Sequence, residues 1–288
     1  HPAVRTTCRK LQAQGYRLTE LPVDALGQLD LQQLEEAITN DTALVTIMYA
    51  NNETGVVFPV DRIARIVHAK DCLFHCDAVQ AVGKLPIDLQ KTEIDLLSIS
   101  GHKLHGPKGI GVLYVRRGTP LTPFMVGGHQ ESGKRAGTEN VAGIVGFSHA
   151  IALAMESAES EYQRLQTLRD RLEARICAAV PKVRINGASA PRVPNTSSLS
   201  FESIDGESIV FSLDLSGIYV STGSACSTGD PEPSHVLLAM GLAPKEAQGS
   251  IRISLGKDNR EEDIETIVQA LATTVNRLRG ISSVGSGQ

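Results

Sequence analysis

Two short apolar segments, each followed by a reactive side chain, constrain the fold of this chain most. Residues 94–99 form an apolar run of strand length that leads within a few residues to Lys103. A turn rich in glycine and proline follows, and residues 111–115 have the composition of another strand. Residues 73–76 form a similar run that ends at Asp77. Because open α/β sheets bind ligands at the carboxyl ends of their strands, we expect Asp77 and Lys103 at such an edge.

The apolar spacing of the first half predicts an α/β fold. Strands are predicted over residues 43–49, 73–76, 94–99 and 111–115, and helices over 28–40, 61–70 and 141–155. Continuous apolar strands that alternate with helices are typical of a largely parallel sheet covered on both faces. Asp30 is the predicted cap of the helix over 28–40.

The second half predicts a smaller α+β domain. Its predicted helices cover residues 161–180 and 207–215, and its predicted strands include Leu199 with Phe201, 218–221 and 251–253. Asp258 and Glu261 form a predicted capping box for a last, long helix. We assign residues 1–157 to a large domain, 158–280 to the small domain and 281–288, rich in glycine and serine, to a flexible tail.

Composition narrows the classes of function. The net charge of −4 gives no electrostatic reason to expect nucleic acid or an anionic membrane as partner. No apolar run is long enough to cross a bilayer. The 5 cysteines are widely spaced, which favours reduced thiols in a cytoplasmic protein over a disulfide framework. A zinc site at Cys72, His75 and Cys76 is disfavoured, because alternation on a strand points His75 and Cys76 to opposite faces.

Lys103 has two interpretations. Most lysines at strand ends point into water, and that is the default for a lysine taken alone. The alternative is a lysine that condenses with a carbonyl cofactor once its pKa has fallen from about 10.4. Pyridoxal phosphate needs a lysine for its aldehyde and a carboxylate for its pyridinium nitrogen, and Asp77 with Lys103 would supply both.

Several motifs along the chain resemble one family. They are residues 1–4 (HPAV), 49–55 (YANNETG), the segments around Asp77 and Lys103, 135–140 (RAGTEN), 222–227 (TGSACS) and 249–252 (GSIR). In this order they resemble the cysteine desulfurases of the NifS and IscS type, which are pyridoxal-phosphate enzymes of the class-V aminotransferase family. The resemblance covers nearly the whole chain and implies fold-type I. In that family the motif with His1 lies inside the protein, so we expect an N-terminal segment before it.

The resemblance also implies roles at the cofactor. Lys103 would carry it, Asp77 would pair with its ring nitrogen, and Gln80 would contact its phenolic oxygen. His1 would stack on the ring and move protons. Further ligands to the phosphate would be Ser100, His102 and, from a neighbouring subunit, Thr138. The last of these implies a homodimer with shared sites.

Substrate and sulfur residues are implied in the same way. Asn52 and Arg252 resemble the pair that fixes the substrate carboxylate, for which the planar fork of arginine is suited. Cys226, among small residues, resembles the thiol that takes up sulfur and could ligate a cluster through its persulfide; no intrinsic metal site is expected. No basic residue adjoins Cys226, so the sequence does not indicate what would lower the pKa of its thiol.

The resemblance therefore implies a cytoplasmic enzyme that converts L-cysteine to L-alanine and a persulfide. The sulfur would pass to an iron–sulfur scaffold or carrier protein, including for nitrogenase clusters. Two alternatives stay open. One is a selenocysteine lyase or aminotransferase on the same fold, and the other is an inactive fragment that acts only as a binding surface.

Overall fold

The computed structural model describes residues 1–223 and 232–285 of the chain. Contacts divide the chain into two units. We call the first the Lys103 unit, which comprises Glu35–Tyr49 and Pro59–Ala158, and the second the Arg252 unit, which comprises His1–Leu34, Ala50–Phe58 and Glu159–Gln288. One break between the units lies between residues 158 and 159, and residues 1–34 and 50–58 group with the C-terminal part of the chain.

The Lys103 unit is built on a parallel-rich sheet. Its strands are β1 (Leu44–Met48), β2 (Leu73–Asp77), β3 (Leu96–Ser100) and β4 (Gly111–Val115), in the order β1-β2-β3-β4. β1, β2 and β3 are parallel, and β4 runs antiparallel to β3. The α/β prediction is confirmed, because the parallel strands alternate with a helix as their apolar composition predicted.

One face of this sheet forms the core of the Lys103 unit. The helix α3 (Val60–His68) begins after Pro59 and buries Ile63 and Val67 fully, and it packs on β2. Phe74 and Cys76 of β2 are fully buried. The unit also contains α4 (Val141–Glu156), capped by Asn140. Alternation along β2 therefore sends the polar side chains of His75 and Asp77 to the other face.

The Arg252 unit is built on an antiparallel sheet. Its strands are β5 (Val183–Ile185), β6 (Thr196–Phe201), β7 (Ser221–Thr222) and β8 (Ser250–Ser254), in the order β5-β6-β8-β7. Its helices are α1 (Pro2–Ala13), α5 (Ala158–Ala179), α6 (Gly206–Asp214), α7 (His235–Ala239), α8 (Pro244–Gln248) and α9 (Glu261–Gly285), and α2 (Leu31–Ala37) continues from this unit into the other. The core residues Leu172, Phe201, Ile209, Ile251 and Leu271 are fully buried.

Three predictions about local structure are wrong. The box formed by Asp258 and Glu261 does not exist, since Asp258 pairs with Lys257 and the N–H of Arg260 bonds Asp263 Oδ2 at 3.0 Å. The predicted strand over 218–221 is limited to Ser221–Thr222. In the predicted flexible tail over 281–288, residues 281–285 instead continue α9, because extending an existing helix costs less than nucleating a new one. Asp30 does cap α2, accepting the N–H of Gln32 at 2.8 Å.

Within the described residues, no single helix is long and apolar enough to cross a membrane, although α4 and α5 taken as a pair meet the length and composition required.

Candidate active site

Lys103 lies on a tight turn at the carboxyl end of β3. The strand ends at Ser100, and a 3₁₀ turn, Gly101–Leu104, carries the exposed lysine. Only glycine fits at position 101, because a Cβ there would lie 2.8 Å from Ile110 Cγ2 and 3.1 Å from the Pro107 oxygen. His105 closes the turn at a φ of 58°, a strained backbone for a residue with a side chain. The turn therefore fixes the backbone that presents the amine.

Asp77 lies at the end of the neighbouring strand. β2 and β3 are parallel, and Asp77 is in register with Ser98. Its Oδ1 accepts the backbone N–H of Val79 at 3.1 Å, which orients the carboxylate over the following turn. The structure therefore brings Asp77 and Lys103 to the same edge of one sheet, as the sequence predicted.

Four more of the predicted cofactor residues belong to the Lys103 unit. Ser100 Oγ and His102 Nδ1 are 2.8 Å apart, so a hydroxyl and an imidazole adjoin each other beside the lysine. Gln80 Oε1 accepts from Lys84 Nζ at 2.8 Å. Thr138 is exposed in the loop before α4 and has no described contact with these residues.

A polar relay across three strands was not predicted. His75 Nδ1 lies 2.7 Å from Thr46 Oγ1 of β1, and its Nε2 lies 2.8 Å from Ser98 Oγ of β3. Burial lowers the pKa of His75, with a smaller opposing effect of Asp77, which favours the neutral imidazole. The alternation from residue 74 to 77 is the signal that could have placed His75 on the same face as Asp77.

Asn52 and Arg252 meet in the Arg252 unit. Arg252 projects from β8, and its Nη1 donates to the backbone oxygen of Asn52 at 3.0 Å. The turn that carries Asn52 is itself fixed, because Asn51 Oδ1 accepts the N–H of Glu53 at 2.8 Å and of Thr54 at 3.0 Å. The two predicted carboxylate ligands are therefore neighbours although 200 positions separate them.

Glu53 follows Asn52 and is another residue that the prediction missed. Its carboxylate is 5% exposed and accepts a hydrogen bond from the hydroxyl of Ser234. Burial raises its pKa to about 7, against smaller lowering effects of Ser234, Arg252 and the amino group of His1. A buried carboxyl beside a candidate substrate ligand indicates a role beyond packing.

The last two predicted catalytic residues are less defined. His1 is exposed and caps α1, with its Nδ1 accepting the N–H of Ala3 at 3.2 Å. Cys226 lies outside the described residues, which end at Gly223 before it and resume at Glu232 after it.

Comparison with known proteins decides the family. The family model for class-V aminotransferases matches residues 1–267. The chain belongs to this family. A cysteine desulfurase of Nostoc is 51% identical over 282 residues, which are 98% of this chain and 70% of that protein. The chain is therefore one of the cysteine desulfurases within the class-V aminotransferases.

Solved structures agree with this assignment. A structure described as a NifS-like protein superimposes with a TM-score of 0.88 at 40% identity, covering 96% of this chain and 73% of that one. Another, described as SspA in complex with cysteine, has a TM-score of 0.75 at 37% identity, covering 88% of this chain and 71% of that one. The predicted family and its fold-type I architecture are confirmed.

Proposed function

We propose that this desulfurase removes the sulfur of L-cysteine with bound pyridoxal phosphate, leaving L-alanine and a persulfide on Cys226. The observation that carries the proposal is the common edge of parallel β2 and β3, where Asp77 ends one strand and Lys103 lies on the turn after the other. The neighbouring structure bound to cysteine and the name of the Nostoc relative support the choice of substrate.

The donors at this edge fit pyridoxal phosphate. Lys103 would hold its aldehyde carbon, and Asp77 would pair with its ring nitrogen. Gln80 would contact its phenolic oxygen, and Ser100 and His102 would bind its phosphate. A protonated pyridine ring supplies an electron sink for a substrate carbanion. The fixed backbone around Gly101 supports the assignment, because a lysine that must reach one carbon atom gains from a rigid support.

Arg252 and Asn52 would bind the carboxylate of the substrate. Arg252 Nη1 donates to the Asn52 backbone oxygen, which orients the guanidinium plane, and Nη2 and Nε would bind the carboxylate. The side-chain amide of Asn52 would add a neutral donor. Lys103 Nζ, with the His1 imidazole, would carry the proton from the α-carbon of the substrate.

Cys226 would take the sulfur. Its thiolate would attack the substrate sulfur, so that the new S–S bond forms as the carbon–sulfur bond breaks. The substrate sulfur is oxidised to the persulfide level, and the β-carbon is reduced to the methyl group of alanine by gaining a proton. The balance needs no outside oxidant, and the persulfide would then pass to an iron–sulfur scaffold or carrier protein in the cytoplasm.

A homodimer is part of the proposal. In the Lys103 unit, exposed apolar side chains flank the loop of Thr138, and they include Phe124 at 96%, Val126 at 83% and Val141 at 64% exposure. Apolar groups exposed to this extent in one segment favour burial by a partner, and a second copy would bring Thr138 to its neighbour's phosphate.

Alanine release tests the proposed function. The protein supplied with pyridoxal phosphate should form alanine from L-cysteine, and Lys103→Ala should abolish it. Faster release from selenocysteine, or amino-group transfer to a keto acid without alanine formation, would support the first alternative. No alanine and no binding of the cofactor would support an inactive binding surface.

A further inference from the structure

Lys84 contacts one of the candidate cofactor residues directly. Its Nζ donates to Gln80 Oε1 at 2.8 Å, and both side chains are partly buried. The proposed function gives Gln80 the phenolic oxygen of the cofactor but gives Lys84 no role. This contact therefore connects an unassigned cation to the sheet edge at which the cofactor would bind.

The backbone that carries this pair is a hydrogen-bonded turn after β2. Ala81 donates its N–H to the Ala78 oxygen at 2.9 Å, and Lys84 donates its N–H to the Ala81 oxygen at 3.0 Å. Ala78 and Ala81 are fully buried, which anchors the turn on the core of the Lys103 unit. Side chains four positions apart on successive turns lie side by side, and this is the spacing of Gln80 and Lys84.

The same turn packs on the turn that carries Lys103. Gly83 has a φ of 73°, and a Cβ there would lie 2.7 Å from Leu104 Cδ2. Leu104 is 8% exposed. Gly83 directly precedes Lys84, and Leu104 directly follows Lys103. Lys84 and Lys103 therefore adjoin two residues that pack against each other, so their two turns have a fixed relative position.

The contact with Lys84 decides which way the carboxamide of Gln80 is oriented. An ammonium has three donors and no acceptor, so only the carboxamide oxygen of Gln80 can bind Lys84. The amide nitrogen, which carries two N–H groups, then points away from Lys84. A negatively charged phenolic oxygen needs a donor, and the reversed carboxamide would present an oxygen to it instead.

We propose that Lys84 is a positioning residue for the cofactor, which holds the Gln80 carboxamide with its nitrogen toward the phenolic oxygen of pyridoxal phosphate. This inference rests on the proposed function, because Gln80 has that ligand only if the cofactor binds at this edge. Lys103 Nζ would share a proton with the phenolic oxygen. A donor to that oxygen weakens it as a base, so the proton leaves Lys103 Nζ at a lower pH. Lys84 acts through Gln80 and does not touch the cofactor.

A pH titration of the visible absorbance of bound pyridoxal phosphate tests the inference without substrate. We expect Lys84→Met and Gln80→Ala each to raise the midpoint by about half a pH unit or more, since a hydrogen bond to a charged oxygen is lost. Lys84→Arg keeps a charged donor and should stay within about 0.2 pH unit of the wild type. Melting temperatures of the variants show whether they fold, and a purely structural role of Lys84 would change these without moving the midpoint.

Lys70 supplies the matched control. It is exposed and lies just before β2, at the amino end of the strand, whereas Gln80 follows the carboxyl end. Lys70→Met removes the same charge from the opposite edge of the sheet and should leave the midpoint unchanged. Lys84→Met added to Gln80→Ala should move the midpoint by less than about 0.2 pH unit further, because two residues that act through one contact are not additive.

Three outcomes would overturn the inference. If Lys84→Met titrates like the wild type, Lys84 does not position the carboxamide, although the proposed function stands. If Lys84→Met raises the midpoint as much in Gln80→Ala as in the wild type, the ammonium acts by its charge alone. If Gln80→Ala titrates like the wild type, Gln80 does not bind the phenolic oxygen. A wild-type protein without a visible band would instead overturn the proposed function, and this inference with it.

Discussion

Arg252 Nη1 donates to the backbone oxygen of Asn52 at 3.0 Å, which joins β8 to the turn after residue 50. Without this contact, the long arginine side chain could adopt many rotamers. The hydrogen bond to Asn52 restricts it and orients the guanidinium group. Orientation matters here because a guanidinium binds a carboxylate with two parallel hydrogen bonds only when the planes align.

Replacing Arg252 by lysine should weaken cysteine binding. Lysine keeps the positive charge but lacks the fork that bonds the carboxylate and Asn52 together. We expect KM for L-cysteine to rise roughly 10- to 100-fold, the range expected for losing hydrogen bonds to a charged group. Steady-state kinetics with L-cysteine measure this change in KM. Arg184, which is exposed on β5, gives the control, since Arg184→Lys should leave KM unchanged.

Replacing Lys103 should abolish the visible absorbance of bound pyridoxal phosphate. Lys108 lies in the same turn, is also exposed and has the same charge, so Lys108→Ala controls for general effects on the turn. We expect the band to persist in Lys108→Ala and to disappear in Lys103→Ala. Equal spectra in the two variants would show that Lys103 does not hold the cofactor.

The burial of His75 should make stability depend on pH. Its pKa is lowered from 6.5 in the folded chain, so below pH 6.5 the unfolded chain binds the proton more readily than the folded one. Stability therefore falls as pH falls through this window. The melting temperature of His75→Gln should fall less between pH 7.5 and pH 5.5 than that of the wild type, whereas His149→Gln, at an exposed position on α4, should follow the wild type.

Glu53 should make stability depend on pH in the opposite direction to His75. Its folded pKa is raised from 4.5 to about 7, so the folded chain holds the proton where the unfolded chain has lost it. Stability from this group is present below pH 4.5 and is lost as pH rises through 7, by about 3 kcal/mol in all. Arg252 and the amino group of His1 are the charges that face it.

Urea unfolding at pH 5 and pH 8 measures this effect. Glu53→Gln cannot lose a proton at this position, so it should not show this loss of stability. Relative to the wild type, the variant should therefore become more stable as the pH rises from 5 to 8. A difference that is constant over this range would mean that Glu53 titrates normally. Glu173→Gln serves as the buried control.

Local signals in the sequence were sufficient to predict the elements around the sheet edge that carries Asp77 and Lys103. The strand over 111–115 was predicted with its observed bounds, and Asp77 and Lys103 follow directly from apolar runs that end in polar residues. Such features depend on neighbours in sequence, which is why they can be recognised there.

Features set by distant contacts could not be predicted. Glu53 looks like an ordinary turn residue until Ser234, 181 positions away, is placed against it. The first helix, α1, was missed because it is polar on average and buries no residue. Asp258 and Glu261 have the spacing of a capping box, but α9 begins at Glu261 itself, so Asp263 takes the bond that was assigned to Glu261.

The mass of the protein after treatment with L-cysteine tests the central claim most directly. The account predicts one added sulfur atom on the peptide that contains Cys226, absent from Cys226→Ser and from Lys103→Ala. Cys177, which is exposed, provides an internal control and should gain nothing. Alanine release without sulfur on Cys226, or an equal gain in Cys226→Ser, would contradict the account.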